Sequence, residues 1–166
     1  VSHLRALPKN LRFISEDGKG VRESKVMYEA MCIAAQKGLT VMSHAEDMDL
    51  SAIDYRLAEN LETARNLYLA ASTGAKLHMC HVSTKEALED ILTAKRRGVR
   101  VTFEVTPHHI WFCHDEFRVN PPIRQQEDVD ALVRAMLADE VDAIATDHAP
   151  HTPQDKQNGA PGCVGL

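Results

Sequence analysis

The sequence predicts an α/β fold, a parallel sheet covered by helices and laid out as part of a (β/α)8 barrel. Three observations predict it. Short unbroken apolar runs alternate with longer stretches of helical periodicity, most of the periodic stretches stop at a glycine, and every apolar run ends on histidine or aspartate. Continuous apolar strands are what a sheet buried on both faces requires, and alternation with helices makes its strands parallel.

The elements follow in order. "LRFISEDGKG" opens as a strand. "SKVMYEAMCIAAQKG" sets Met27, Ala30, Met31 and Ala34 on one helical face, stops at Gly38 and feeds the strand "LTVMSHAED". "AENLETARNLYLAASTG" repeats the scheme with Leu61, Ala64, Tyr68 and Ala71 on one stripe, Gly74 as the stop and "AKLHMCHVS" as the next strand. Ser83 and Glu86 make a capping-box pattern, Ala87, Leu88, Ile91 and Leu92 form the buried face behind it, and Gly98 ends that helix before "VRVTFEVTPHH". Val129, Leu132, Val133, Met136 and Leu137 mark a last helix that runs into "VDAIATDHAPH". That gives five strands with four intervening helices.

Length and charge set the outer limits. With 166 residues, 44% of them hydrophobic, the chain can bury a core and is expected to be one domain. Its net charge of −5, spread without a basic block, argues against nucleic acid or an anionic membrane as partner. No apolar run approaches membrane-spanning length and "VSHLRALPKN" lacks the apolar segment of a secretory signal, so a cytoplasmic protein is expected. Cys32, Cys80, Cys113 and Cys163 lie far apart with no C-x-x-C pair, so they read as free thiols and not as a disulfide framework or a cysteine zinc site.

An open doubly wound sheet competes with the barrel. Its nucleotide-binding form carries a glycine-rich phosphate loop after the first strand, and neither G-x-G-x-x-G nor G-x-x-x-x-G-K-[ST] occurs. What recurs is a metal-type side chain at each strand end: Asp17, His44, His81, the pair His108 and His109, and Asp147 with His148. One such histidine is more often a hydrogen-bonded structural residue, but barrels assemble their sites at that end from several strands at once. His78 differs, because alternation puts it on the face of Cys80 and opposite His81, so it reads as outward-facing or packed and not as a ligand. Histidine with carboxylate and without thiolate suits zinc, with manganese or cobalt as alternatives. Such an ion lowers the pKa of its water from 15.7 towards about 7 while a carboxylate moves the proton. Asp147, beside His148 and His151, is the expected shuttle.

"TDHAPH" at 146–151, "NPPIR" at 120–124, "HVST" at 81–84, "EVTPHH" at 104–109 and "EDG" at 16–18 resemble the class I dihydroorotases of the amidohydrolase superfamily, over essentially the whole chain. The resemblance implies a metal-dependent TIM (β/α)8 barrel that reversibly converts N-carbamoyl-L-aspartate to L-dihydroorotate in de novo pyrimidine (UMP) biosynthesis, with two Zn2+ ions per active site. It implies that Asp17 bridges the ions, that His44 and His81 hold the second zinc, and that Asp147 binds the first and serves as general base in hydrolysis and acid in reverse. Asn120 and His151 would contact the substrate, and Pro161 with Gly162 would approach it through the backbone. His108 and His109 match a family signature and are expected to shape the barrel mouth without a catalytic role. A homo-oligomer and an association with aspartate transcarbamoylase are possible in this family.

One feature departs from the family. The H-x-H-x-R segment that supplies two ligands of the first zinc is absent, and five strands do not close a barrel, which needs about 200 residues. Residues 1–166 are therefore expected to be one partial barrel domain, a C-terminal part spanning about strands 4–8, inactive by itself. Two rivals stand beside this reading. "TDHAPH" with "NPPIR" favours dihydroorotase over a hydantoinase or allantoinase, and the ligands expected within this span are all present, unlike those of non-catalytic scaffolds for a transcarbamoylase.

Overall fold

The computed structural model describes residues 1–16 and 18–163; Asp17 lies outside the described residues. Strands β1 (Phe13–Ser15), β2 (Thr40–Ser43), β3 (Lys76–Met79), β4 (Val101–Val105) and β5 (Ala143–Ile144) form one sheet in that order, every neighbouring pair parallel. Helices α1 (Ser24–Lys37), α2 (Tyr55–Thr73) and α3 (Lys85–Arg96) connect the first four strands. The short α4 (Pro107–Trp111) and then α5 (Gln126–Leu137) lead to β5, α6 (Pro153–Gln157) follows it, and a 3-10 turn over Ser2–Ala6 precedes β1.

The strand order decides between the two expected architectures. A doubly wound sheet reverses its strand order at a switch point and carries helices on both faces. Here the order never reverses, and α1 packs on α2, α2 on α3 and α3 on α5, so the helices form one continuous layer. That is an arc of a (β/α)8 barrel. The core lies between the two layers: Val41, Leu77, Met79, Val101, Phe103 and Val105 of the strands meet Met27, Met31, Leu67, Leu88, Ile91 and Leu132 of the helices. The alternate residues Met42, His78, Thr102 and Glu104 turn to the other, concave face.

Four local expectations need correction. The stripe expected to bury α2 is largely exposed, Leu61 at 47% and Tyr68 at 74%. Its buried face instead carries Glu59, Glu62, Thr63 and Asn66 beside Ala58, Leu67 and Ala70. Hydrogen bonds make this possible, since Asn66 donates to Ser43 Oγ (2.9 Å) and Arg65 pairs with Glu62 (2.6 Å). The Ser83–Glu86 box does not form, because Glu59 takes Ser83 and leaves Thr84 to cap α3 through the Ala87 N–H (3.2 Å). Finally, β4 stops at Val105, and Thr106 caps α4 so that His108 and His109 sit on a helical turn. The last strand is also shorter than its apolar run, with Ile144 57% exposed at the sheet edge.

Gly20 shows how tightly the loop after β1 is held. A Cβ at this position would run into the Glu46 carbonyl oxygen and Glu62 Oε2. Gly20→Ala in the complete protein is therefore expected to cost about 1–3 kcal/mol, the usual range for overpacking. A urea midpoint equal to that of the parent protein would show that the loop moves aside freely.

Candidate active site at the carboxyl ends of the strands

His44 follows β2 directly, and His81 lies two residues beyond β3. Their rings come within 5.1 Å, centroid to centroid, tilted by 53°. His81 is buried and takes a left-handed φ of 37°, and Asp147, three residues past β5, does the same at 47°. Non-glycine residues rarely adopt this conformation, and when they do they gather at functional sites. Two of the four described non-glycine residues with positive φ are thus expected metal ligands.

The electrostatics tie the strand ends together. Glu16, at the end of β1, favours a protonated His44, and the charges of Asp147 and Glu104 push the same way. Yet His44 Nδ1 also accepts the Gly18 N–H (3.3 Å) while lying 3.6 Å from Glu16 Oε1, so a proton and an amide compete for one nitrogen. Burial, with His44 alongside, keeps His81 neutral against the pull of Asp147. Burial also lowers His108, again against Asp147. The Asp147 carboxylate thus acts on His44, His81 and His108.

Glu16 Oε2 and His108 Nε2 are buried at this end of the sheet with no hydrogen-bond partner among the described residues. Unpaired buried polar atoms are costly and call for an explanation. Glu16, His108, His44 and His81 are donors of the kind that borderline divalent metals take, so their chemistry fits a metal centre, although the described residues whose ligand atoms converge within 4.8 Å are His78, Cys80 and Glu104.

Behind the site a buried bracket holds two of the quoted motifs. Glu59 of α2 accepts the N–H groups of Ser83 (2.8 Å) and Thr84 (3.2 Å), the Ser83 hydroxyl, and Arg124 Nη2 (2.9 Å). Arg124 Nε donates to Ser83 Oγ (2.9 Å). The turn that carries His81 is therefore locked to the end of "NPPIR". At the other end of that motif, Asn120 leads into Pro121 through a cis peptide bond and donates to Glu46 Oε2 (2.9 Å). His109 is clamped between Thr106 Oγ1 (2.8 Å) and the Pro121 carbonyl (2.9 Å), and its ring supports that of His108 at 4.5 Å. Its burial pushes its pKa down to about 3.

His44, His81 and Asn120 line one cleft together with Glu46, Tyr55 and Glu59. The other expected substrate contacts stand apart from it. His151 is exposed, with Nδ1 3.1 Å from the Ala149 carbonyl. Pro161 is exposed, while Gly162 is buried with its N–H on the Arg118 carbonyl (3.1 Å) and its own carbonyl on Lys156 Nζ (2.6 Å). Asp17 lies outside the described residues. Sequence reasoning missed Glu16, Glu104 and the Glu59–Arg124 bracket. Glu16 and Glu104 lie inside quoted motifs, but only the fold shows which way they face.

The fold and site define a class first. A D-hydantoinase (dihydropyrimidinase) from Thermus sp. superposes with a TM-score of 0.80 at 23% identity, over 93% of this chain and 41% of that one. Another solved D-hydantoinase gives 0.83 at 23%, over 99% and 45%. The chain thus has the parallel α/β architecture of part of these solved structures. No family model matches it. Sequence relatives are more specific: a dihydroorotase of Clostridium botulinum (strain Eklund 17B / Type B) is 51% identical over 158 residues, 94% of this chain and 40% of the relative. A dihydroorotase of Geobacillus sp. (strain WCH70) is 41% identical over 179 residues, 92% of this chain and 42% of the relative. Over the span it shares with them, the chain belongs to the dihydroorotase family. It spans about two fifths of the length of these curated relatives.

Proposed function

We propose that this span is the C-terminal part, about strands four to eight, of a zinc-dependent dihydroorotase that interconverts N-carbamoyl-L-aspartate and L-dihydroorotate in pyrimidine synthesis. The observation that carries this reading is the pairing of the His44 and His81 rings at 5.1 Å, under the charge of Asp147, in a chain 51% identical to a dihydroorotase. The remaining ligands of a two-ion site would come from strands outside this span, and residues 1–166 would form one partial barrel domain.

His44, His81, Asp147 and Asp17 would hold two Zn2+ ions in the intact enzyme. Bound there, the ions would supply Lewis-acid polarisation of the amide carbonyl and a more acidic water. His81 is suited to this because burial leaves its imidazole neutral, with a lone pair to give. Asp147 would take the proton of the attacking water in ring opening and pass it to the departing amide nitrogen, and would run the same transfers backwards in ring closure. Asn120, steadied by Glu46, would orient the substrate from the cleft wall. His151, with the Pro161 and Gly162 backbone, would close on it from the loop after Asp147. A homo-oligomer, association with aspartate transcarbamoylase and a cytoplasmic location belong to the same reading; no helix among the described residues is long and apolar enough to cross a membrane.

A hydantoinase reading rests on fold likeness at 23% identity or less in the solved neighbours compared above, below the sequence likeness to dihydroorotases. The test is made on the full-length protein. His81→Asn is expected to lower bound metal and abolish turnover of dihydroorotate, with the fold retained by circular dichroism. Parent enzyme that hydrolyses hydantoin or allantoin faster than dihydroorotate would overturn the substrate assignment. Full metal and full turnover in the variant would overturn the ligand set.

A further inference from the structure

We infer that His78, Cys80 and Glu104 form a separate binding site for a thiolate-accepting divalent cation such as Zn2+, on the concave face of the sheet inside the strand ends. One ligand atom from each residue lies within 4.8 Å of the other two. Strand geometry produces the convergence. His78 and Cys80 are two residues apart on β3 and its extension, so they share a face. The pairs His78 with Thr102 and Met79 with Phe103, continued by one residue, set Cys80 opposite Glu104.

The donor chemistry is that of a cation site. A thiolate and a carboxylate together carry the two negative charges that balance a divalent ion, and a neutral imidazole completes a three-ligand set with room for a fourth. His78 Nδ1 lies 2.8 Å from Thr102 Oγ1, which fixes the ring with Nε2 directed at Glu104 Oε2, 2.9 Å away. Metal-ligating histidines are oriented in this way through their second nitrogen. Zinc bonds of about 2.0–2.3 Å place the ligand atoms of one tetrahedron roughly 3.3–3.8 Å apart, so a small opening of the His78–Glu104 contact admits the ion. The Cys80 proton leaves to solvent as sulfur takes the cation.

The plainer reading is a hydrogen-bonded His78–Glu104 pair with Cys80 as apolar filling. Cys80 is buried, yet it lies outside the apolar cluster between sheet and helices and stands among polar groups on the other face. A filler would gain nothing from that neighbourhood.

The site lies beside the His44–His81 centre, with Cys80 directly before His81 and the Glu104 charge bearing on His44, and the experiment separates the two. The full-length protein is loaded with Co2+, and the near-ultraviolet thiolate-to-cobalt charge-transfer band is recorded together with metal per chain. None of the ligands assigned to the centre at the strand ends is a thiolate. The parent protein is expected to show the band, Cys80→Ser to lose it with about one metal per chain, and a His44→Asn/His81→Asn variant to keep it while losing other metal. Glu104→Gln, which preserves shape, is expected to weaken retention of the same ion and serves if Cys80→Ser fails to fold. Absence of the band in folded parent protein, or its survival in Cys80→Ser through another cysteine, would overturn the site. Loss of the proposed dihydroorotase reading alone would leave the band unchanged.

Discussion

Asp147→Asn in the full-length enzyme is expected to lower turnover of dihydroorotate by at least about 10²–10⁴-fold, the range typical of a general acid–base group, with a smaller loss of bound metal. Asparagine keeps an oxygen for a metal and removes the base. The backbone also permits the comparison: Asp147 sits at φ 47°, a left-handed conformation that asparagine tolerates as well as aspartate does, so the change tests charge and not strain. Loss of the carboxylate removes the pull it exerts on His44, His81 and His108. His151→Ala is the contrast, because it removes an exposed ring from outside the cleft. Its effect should fall on kcat/KM with metal content intact. An Asp147→Asn enzyme with near-normal turnover and full metal would remove Asp147 from the mechanism.

The sheet was legible in the sequence because periodicity and glycine stops report local structure directly. Met27, Met31 and Ala34 of α1 are buried as their spacing predicts, and Ala87, Leu88 and Ile91 of α3 likewise. The α2 stripe misled because apolar periodicity assumes that polar residues face water. Glu59 and Asn66 face inward because the loop after β3 brings the Ser83 and Thr84 amides, β2 brings Ser43 and the segment before α5 brings Arg124 to meet them. No pattern within α2 announces those partners. His44 and His81 could be picked out as candidate ligands from their strand ends, but their mutual approach depends on parallel neighbours in register, which is a property of the sheet. Glu16 was hidden for a different reason. The metal assignment falls to its neighbour Asp17, which lies outside the described residues, and nothing in the sequence says that the Glu16 carboxylate faces His44. Glu62 is the clearest case of burial overriding residue type, its pKa pushed up to about 7 by desolvation despite Arg65 beside it.

Arg124→Met is expected to destabilise the full-length protein by about 3–5 kcal/mol, the cost of leaving one member of a buried ion pair without its partner. The side chains of Arg124 and Glu59 are only 9% and 5% exposed, and their contact is 2.9 Å, so solvent screens little of the loss. Glu59 would keep the Ser83 and Thr84 N–H groups and the Ser83 hydroxyl, which offset part of it. Arg124 also holds Ser83 directly, two residues from His81, so the variant should bind metal more weakly even where it remains folded. Two measurements separate these consequences: denaturant unfolding of the metal-free protein, and metal retention against a chelator at a temperature where both proteins are folded. Adding Glu59→Gln to Arg124→Met removes the stranded charge and should restore part of the stability, but not the metal retention, because the turn is still untied. A loss below about 1 kcal/mol in the single variant would mean that water reaches Glu59. The bracket would then be only a contact between motifs and would not hold His81 in place.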